Sequence, residues 1–221
     1  MITQINILKK CDNPEILVLT PLLPKHKISR ETKVTLKRNK TPITWISCTN
    51  NQNIPKNHND GIKWYKNKYK KLPPYILFLD NDITLSRKAI DKLYDKLKST
   101  PPHIGYAYAS FKYEGHINKE FPAVPFDINR LVKANYISSN SLFKMSVIED
   151  VGLVTNDFYK RLLDWAFLLK CYGQGFMGIP TPESSFKAIS SVNDVSAGTN
   201  EDYKIKSKRV YNKFIKPLLA N

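Results

Sequence analysis

Short apolar runs alternate along the chain with segments whose apolar residues recur every three or four positions. The first pattern marks buried strands and the second amphipathic helices. Glu15 to Thr20 (EILVLT) predicts a buried strand ending at Pro21. Ser29 to Arg38 predicts a short basic helix, and Ile43 to Cys48 (ITWISC) a second strand bounded by Pro42 and by Asn50-Asn51. Gly61 to Lys71 has helical spacing at Ile62, Tyr65 and Tyr69 and is closed by Pro73-Pro74. Ile76 to Leu79 is a third strand. Ser86 is placed to cap a helix through Lys98, whose stripe is Ala89, Ile90, Leu93 and Leu97. Ile104 to Ala109 is a fourth strand.

Strands alternating with helices in this way predict an α/β fold with a mostly parallel central sheet and right-handed crossovers. Ligands of such sheets bind beyond the carboxyl ends of the strands. Three polar segments fall there and should line one crevice: Thr20-Pro21, Thr49-Asn50-Asn51 and Asp80-Asn81-Asp82. Beyond Ser110 the pattern loosens. Residues 111–135 read as a long functional loop, Tyr136 to Phe143 as a strand, and Lys144 to Val151 as a helix closed by Gly152. Leu162 to Tyr172 is a helix ended by Gly173, and Gly175 to Ile179 a strand. Thr181 to Glu201, rich in Ser, Thr, Asn and Gly, reads as a mobile loop before a last basic helix from about Glu201 to Ile215. No repeat or linker divides the chain, so one domain over 1–221 is expected.

Composition narrows the classes. A hydrophobic content of 42% over 221 residues is that of a globular protein with a sizeable core. No apolar stretch approaches the ~20 residues that span a bilayer. Cys11, Cys48 and Cys171 are odd in number and scattered, which points away from a disulfide framework or a zinc site. With no secretory pattern at the start, a reduced, cytoplasmic compartment is expected. The formal charge of +16 favours polyanionic partners, including an anionic membrane surface. Only six of the 35 basic residues are arginine, however, and no nucleic-acid-binding signature accompanies them, so specific nucleic-acid binding is not expected.

The stretch YILFLDNDITLS (Tyr75 to Ser86) carries the chemistry. Its apolar run stops in two acids one residue apart, and residues i and i+2 of an extended chain share a face. Carboxylates so crowded repel unless a cation or donors lie between them. An Asp-x-Asp pair on a chain without a Cys or His cluster suits Mg²⁺ or Mn²⁺, typically shared with substrate phosphates. The bland reading is a polar turn, which Asp and Asn also make well.

ILFLDNDITLS, SLFKMSVIEDVG and LLDWAFLLKCYGQGF, in this order and spacing, resemble the GT-A fold glycosyltransferases, in particular the inverting family 2 of the small kind found in bacteria and large DNA viruses. The resemblance covers roughly residues 15–180, and His58-Asn59-Asp60-Gly61-Ile62 resembles the family's Asn-x-Gly-Ile helix start. It implies a single Rossmann-like domain, with a nucleotide-sugar half over about 1–110 and an acceptor half over about 111–221. It implies a nucleotide-diphosphate sugar donor, a UDP-sugar first, and a glycan or glycoconjugate acceptor.

Carried over residue by residue, Asp80 contacts the ribose or the metal, Asp82 coordinates Mn²⁺ or Mg²⁺, and Asp164 is the general base for the acceptor hydroxyl. Thr20, Pro21, Asn50, Asn51, Asn59 and Asn81 are expected around the nucleotide. Asn140 and Trp165 are expected at the acceptor, Trp165 as a sugar platform. Lys187, alone in its polar segment, would approach the diphosphate on a closing lid. Two departures stand out: no acid follows the second strand where the family commonly reads uracil, and Leu163 occupies the position of the acid that usually precedes the base. The rival readings are a nucleotidyltransferase, for which Leu22-Leu23-Pro24-Lys25 lacks the glycine-rich phosphate loop, and a non-catalytic basic binding module.

Overall fold

The structure is a computed structural model and describes residues 3–50, 54–116, 118–154, 162–190 and 200–219. The first half runs β1 (Gln4–Lys9), β2 (Ile16–Leu22), α1 (Arg30–Lys37), β3 (Ile43–Thr49), α2 (Ile54–Tyr69), β4 (Tyr75–Phe78), β5 (Ile83–Leu85), α3 (Ala89–Lys98). The second continues with β6 (Ile104–Gly115), β7 (Lys119–Phe121), α4 (Ile128–Leu131), β8 (Leu142–Lys144), α5 (Met145–Val151), α6 (Leu163–Gly173), β9 (Met177–Ser190) and α7 (Asn200–Val210). A π-helical turn (Tyr211–Ile215) and α8 (Lys216–Leu219) close it. In the π turn the hydrogen bond spans five residues, Lys216 N to Tyr211 O, and Val210 and Ile215, also five apart, are both buried.

The strands form one nine-stranded sheet in the order β1-β3-β2-β4-β8-β6-β9-β5, with β7 on β6. The parallel block that the alternation predicts is β3-β2-β4. The short β8 then enters antiparallel between β4 and β6, and β6 pairs parallel with β9. Helices cover both faces. Leu17, Leu19, Ile76, Phe78, Tyr106 and Phe143 pack with the side of α5 and α6, while Ile16, Val18, Leu77, Ala107 and Phe186 pack with α3.

Several expectations are corrected. The segment from Thr181 is no loop as far as Ser190: it is β9, bonded to β6 on one side and β5 on the other. Its Ser and Lys residues alternate with Phe186 and Ala188, which are buried. Residues 191–199 lie outside the described residues. The 111–135 loop is instead the rest of β6, then β7 and α4, while 136–141 is irregular and only Leu142–Lys144 is strand. Ser86 does not cap α3. Its hydroxyl accepts from Ser185 N (3.0 Å), and the free N–H of Ile90 is satisfied by Asn39 Oδ1 (2.9 Å), a cap supplied from the end of α1.

Gly61 shows how closely α2 lies on the sheet. A Cβ there would stand 2.6 Å from both Cys48 Sγ and Leu19 Cδ1, which are fully buried. Gly61→Ala should therefore lower stability by about 1–3 kcal/mol despite alanine's better helix propensity, read as a lower thermal midpoint. An unchanged or raised midpoint would show that α2 can lift without loss.

Candidate active site

Beyond β4 the chain leaves the sheet, and Asp80-Asn81-Asp82 bridge to β5. Asn81 pins this crossing. Its carbonyl accepts from Ser29 N (2.8 Å) and Thr32 Oγ1 (3.1 Å), and its Nδ2 donates to Lys27 O (3.0 Å). Asp80 is gripped by the buried Asn140, whose Oδ1 accepts from Asp80 N (2.9 Å) and whose Nδ2 donates to Asp80 Oδ2 (3.1 Å). Asn140 is held in turn by Ser138, whose hydroxyl accepts from Asn140 N (3.1 Å). Asp82 is exposed.

Asp164 comes from the first turn of α6. Its Oδ1 accepts from Trp165 N (2.9 Å) and its Oδ2 from Asn135 Nδ2 (2.8 Å), and Asn135 Oδ1 accepts from Ile137 N (3.1 Å). Asp80 and Asp164 line the same two cavities. One, of about 200 Å³, runs past His58, Phe78, Leu153 and Phe167; the other, of about 110 Å³, past Tyr113, Phe121, Asn135 and Asn140. Residues more than eighty positions apart are thus brought to one wall.

Charge is held here at a cost. Burial pushes the Asp80 carboxyl up to about 6, opposed by the Asn140 amide and reinforced by the charges of Asp82 and Asp164. Burial likewise pushes Asp164 up to about 6 against the hydrogen bonds from Trp165 N, its own N–H and Asn135. Burial pushes His58 down to about 3, so its ring is neutral; it lies 4.3 Å from the Phe78 ring, with Nε2 buried and without a hydrogen-bond partner.

A surplus of carboxylate, all oxygen, fits a hard divalent cation. Asp80, at the cavity wall, and the exposed Asp82 two residues on are the residues that could hold one. Among the described residues no group of three or more His, Cys, Asp or Glu gathers to hold a metal ion.

Of the other expected site residues, several are held by contacts of the framework. Thr20 is fully buried and accepts from Trp45 Nε1 (2.9 Å). Pro21 continues β2 opposite Cys48, beyond the last residue paired with β4, so its missing N–H costs no ladder bond there. The buried Asn50 donates through Nδ2 to Thr3 Oγ1 (3.1 Å). Asn59 lies half-buried on α2 and lines neither cavity, and Asn51 lies outside the described residues. Trp165 is no open platform: it is buried, and its indole N–H donates to Leu131 O (2.6 Å), tying α4 to α6. Lys187 is held on β9 by Glu114 Oε2 (3.0 Å), away from both carboxylate cavities.

Asn135, which positions Asp164, is not among the expected site residues; Asn140, expected at the acceptor, grips Asp80 and also lines the smaller cavity. The signal was the Asn/Ser spacing of ANYISSNS. Asn135 bonds two residues on, Ser138 does the same, and Ser141 Oγ donates to Ser138 O (2.7 Å); these are polar turns where a strand was expected.

No protein-family model matches the sequence, and no curated protein does. Solved structures do match. TarS of S. aureus superposes over 90% of this chain with a TM-score of 0.55 at 14% identity, and TarS 1–349 in complex with UDP over 90% with 0.61 at 13%. The mannosyltransferase PcManGT of Pyrobaculum calidifontis, in complex with GDP-Man and Mn²⁺, superposes over 95% with 0.54 at 11%. The chain spans 39%, 64% and 65% of these proteins' own lengths. At such identities the likeness is one of architecture: a mixed sheet flanked by helices, in the GT-A-like fold of glycosyltransferases.

Proposed function

We propose that the protein is a metal-dependent, inverting glycosyltransferase that moves a hexose or deoxyhexose from a nucleotide-diphosphate sugar to a hydroxyl of a glycan or other sugar-containing acceptor. A UDP-sugar is the first candidate donor. The observation that carries this reading is the shared wall: Asp80, fixed by Asn140 where β4 ends, and Asp164, fixed by Asn135 on α6, face the same space from different elements. The GT-A-like fold, shared with structural neighbours in complex with UDP, with UDP-GlcNAc, and with GDP-Man and Mn²⁺, supports the same reading.

In this reading Asp80 and Asp82 would hold Mn²⁺ or Mg²⁺, which when bound would neutralise the diphosphate leaving group. Asn140 keeps the Asp80 carboxylate aimed, and Asn81 keeps the crossing still. Asp164 takes the proton of the acceptor hydroxyl through the carboxylate edge that Asn135 orients. The neighbouring apolar side chains exclude water that would otherwise compete as acceptor.

Without a cation the carboxylates repel a diphosphate. UDP should therefore bind at least tenfold more tightly in Mn²⁺ than in EDTA, measured by calorimetry. Equal affinity in the two would remove the metal from the mechanism.

A further inference from the structure

Asp80 and Asp164 stand between two unlike chambers. The smaller, of about 110 Å³, presents polar groups: the Asn135 and Asn140 amides and the Ser138 and Ser139 hydroxyls beside Tyr113 and Tyr136. The larger, of about 200 Å³, is walled by Ile54, Phe143, Leu153, Val154, Leu163 and Phe167. Apart from the two carboxylates, its polar lining is His58, Ser138 and Ser139. His58 is neutral, and its Nε2 is the one buried, unpartnered polar atom of that lining among the described residues.

The apolar walls of this chamber suit a particular guest: a 150 Å³ cavity lined by Leu, Ile and Phe takes benzene. A hexose fits the chamber poorly, because hydroxyls on every face would be buried against Leu and Phe with one imidazole and two serines to answer them. An aryl or short alkyl group fits it well, and His58 Nε2 can meet a single polar atom upon it. The carboxylates mark where the chamber meets the proposed chemistry: Asp80 and Asp164 both line it.

We propose that the larger chamber receives an apolar group borne by the acceptor next to the hydroxyl it offers to Asp164, so that the acceptors are amphipathic alcohols, such as sugars with an aryl or short alkyl substituent. The inference rests on the glycosyltransferase reading and adds a substrate class to it. The polar part of the acceptor lies in the Asn135–Asn140 chamber, and the apolar part anchors it. Burial of one ring is enough to raise kcat/KM at least tenfold over an acceptor that lacks it.

The test pairs binding with transfer. Benzyl alcohol carries one hydroxyl and one ring and needs neither donor nor metal. Ligand-observed NMR should show it binding the wild-type protein saturably, and at least tenfold more weakly to Val154→Phe, which fills the chamber. With a UDP-sugar as donor, phenyl glycosides should exceed the matching methyl glycosides at least tenfold in kcat/KM, and Val154→Phe should collapse that ratio. Should Val154→Phe fail to fold, Leu153→Asn makes the same wall polar and should have the same effect. Benzyl alcohol that fails to bind, or binds both variants as it binds wild type, overturns the proposal even in a protein that transfers sugar. So does a Val154→Phe protein whose defect lies in affinity for UDP or UDP-GlcNAc, because the chamber would then belong to the donor. A wild-type protein that binds benzyl alcohol there but neither binds nor consumes any nucleotide sugar overturns the enzymatic reading and, with it, the assignment of the chamber to an acceptor.

Discussion

Asp164→Asn is expected to lower sugar transfer by about 10²-fold or more while leaving UDP affinity near that of wild type, the scale of a lost general base. The carboxylate stands on α6, whereas the proposed donor and metal group, Asp80, stands on the crossing beyond β4. The amide can still accept from Trp165 N, but it turns an N–H₂ toward Asn135 Nδ2. That local conflict costs about 1 kcal/mol, and thermal melting separates it from the loss of chemistry. The pH profile gives a second reading. Burial holds Asp164 at about 6, so the base form grows as pH rises through 6 and transfer should climb to a plateau above it. In Asp164→Asn, measured with Mn²⁺ saturating so that Asp80 stays ionised, the residual activity should lack that limb. Inversion at the anomeric carbon should accompany transfer, because a base opposite the leaving group drives a single in-line displacement. A robustly active Asp164→Asn, or a product of retained configuration, would move the search to Glu149, Asp150 and Asp157.

How much of this was readable from the chain differs from element to element, for physical reasons. The β3-β2-β4 block and the acids beyond β4 are plain, because an apolar run that stops in two carboxylates has few bland explanations. β9 is hidden by composition: Ser184, Ser185 and Lys187 look like loop residues, and only the alternation with Phe186 and Ala188 marks a strand. β1 is an edge strand, half exposed, with little pattern to find. α6 poses another problem. Trp165, Ala166, Phe167, Leu168 and Leu169 are all buried, so the helix is apolar nearly all round and its sequence does not say whether Asp164 or Trp165 faces the cavity. Tertiary packing decides: α4 takes the indole through Leu131 O and leaves the acid to the cavity. Asn140 and Asn135 belong to the same class, since each acts through a partner in another element that no local window contains.

Asp80→Asn should make the protein more stable and less able to bind its donor. The folded protein holds this carboxyl at about 6, against an ordinary value of 3.8. A carboxyl raised in this way favours the fold most while protonated; that advantage is lost as pH rises from about 3.8 through 6, and above 6 the deficit is complete. At pH 7.5 the wild-type protein therefore carries an unfavourable charge worth on the order of 1–3 kcal/mol, which the amide lacks. The new side chain keeps the framework, because its oxygen still accepts from Asn140 Nδ2. The variant should melt a few degrees above wild type at pH 7.5 in EDTA, and the gap should close near pH 4. Mn²⁺ should close it from the other side. A cation at a hundred times its Kd adds about 2.7 kcal/mol to a protein that binds it, and the variant has lost half of the pair that would. UDP affinity in Mn²⁺ should fall at least tenfold in the same variant, the trade of stability for function expected where like charges are gathered to hold a ligand. An Asp80→Asn protein that melts below wild type at pH 7.5 without metal would show that the carboxylate is a structural group, and that the crossing between β4 and β5 is built around it for another purpose.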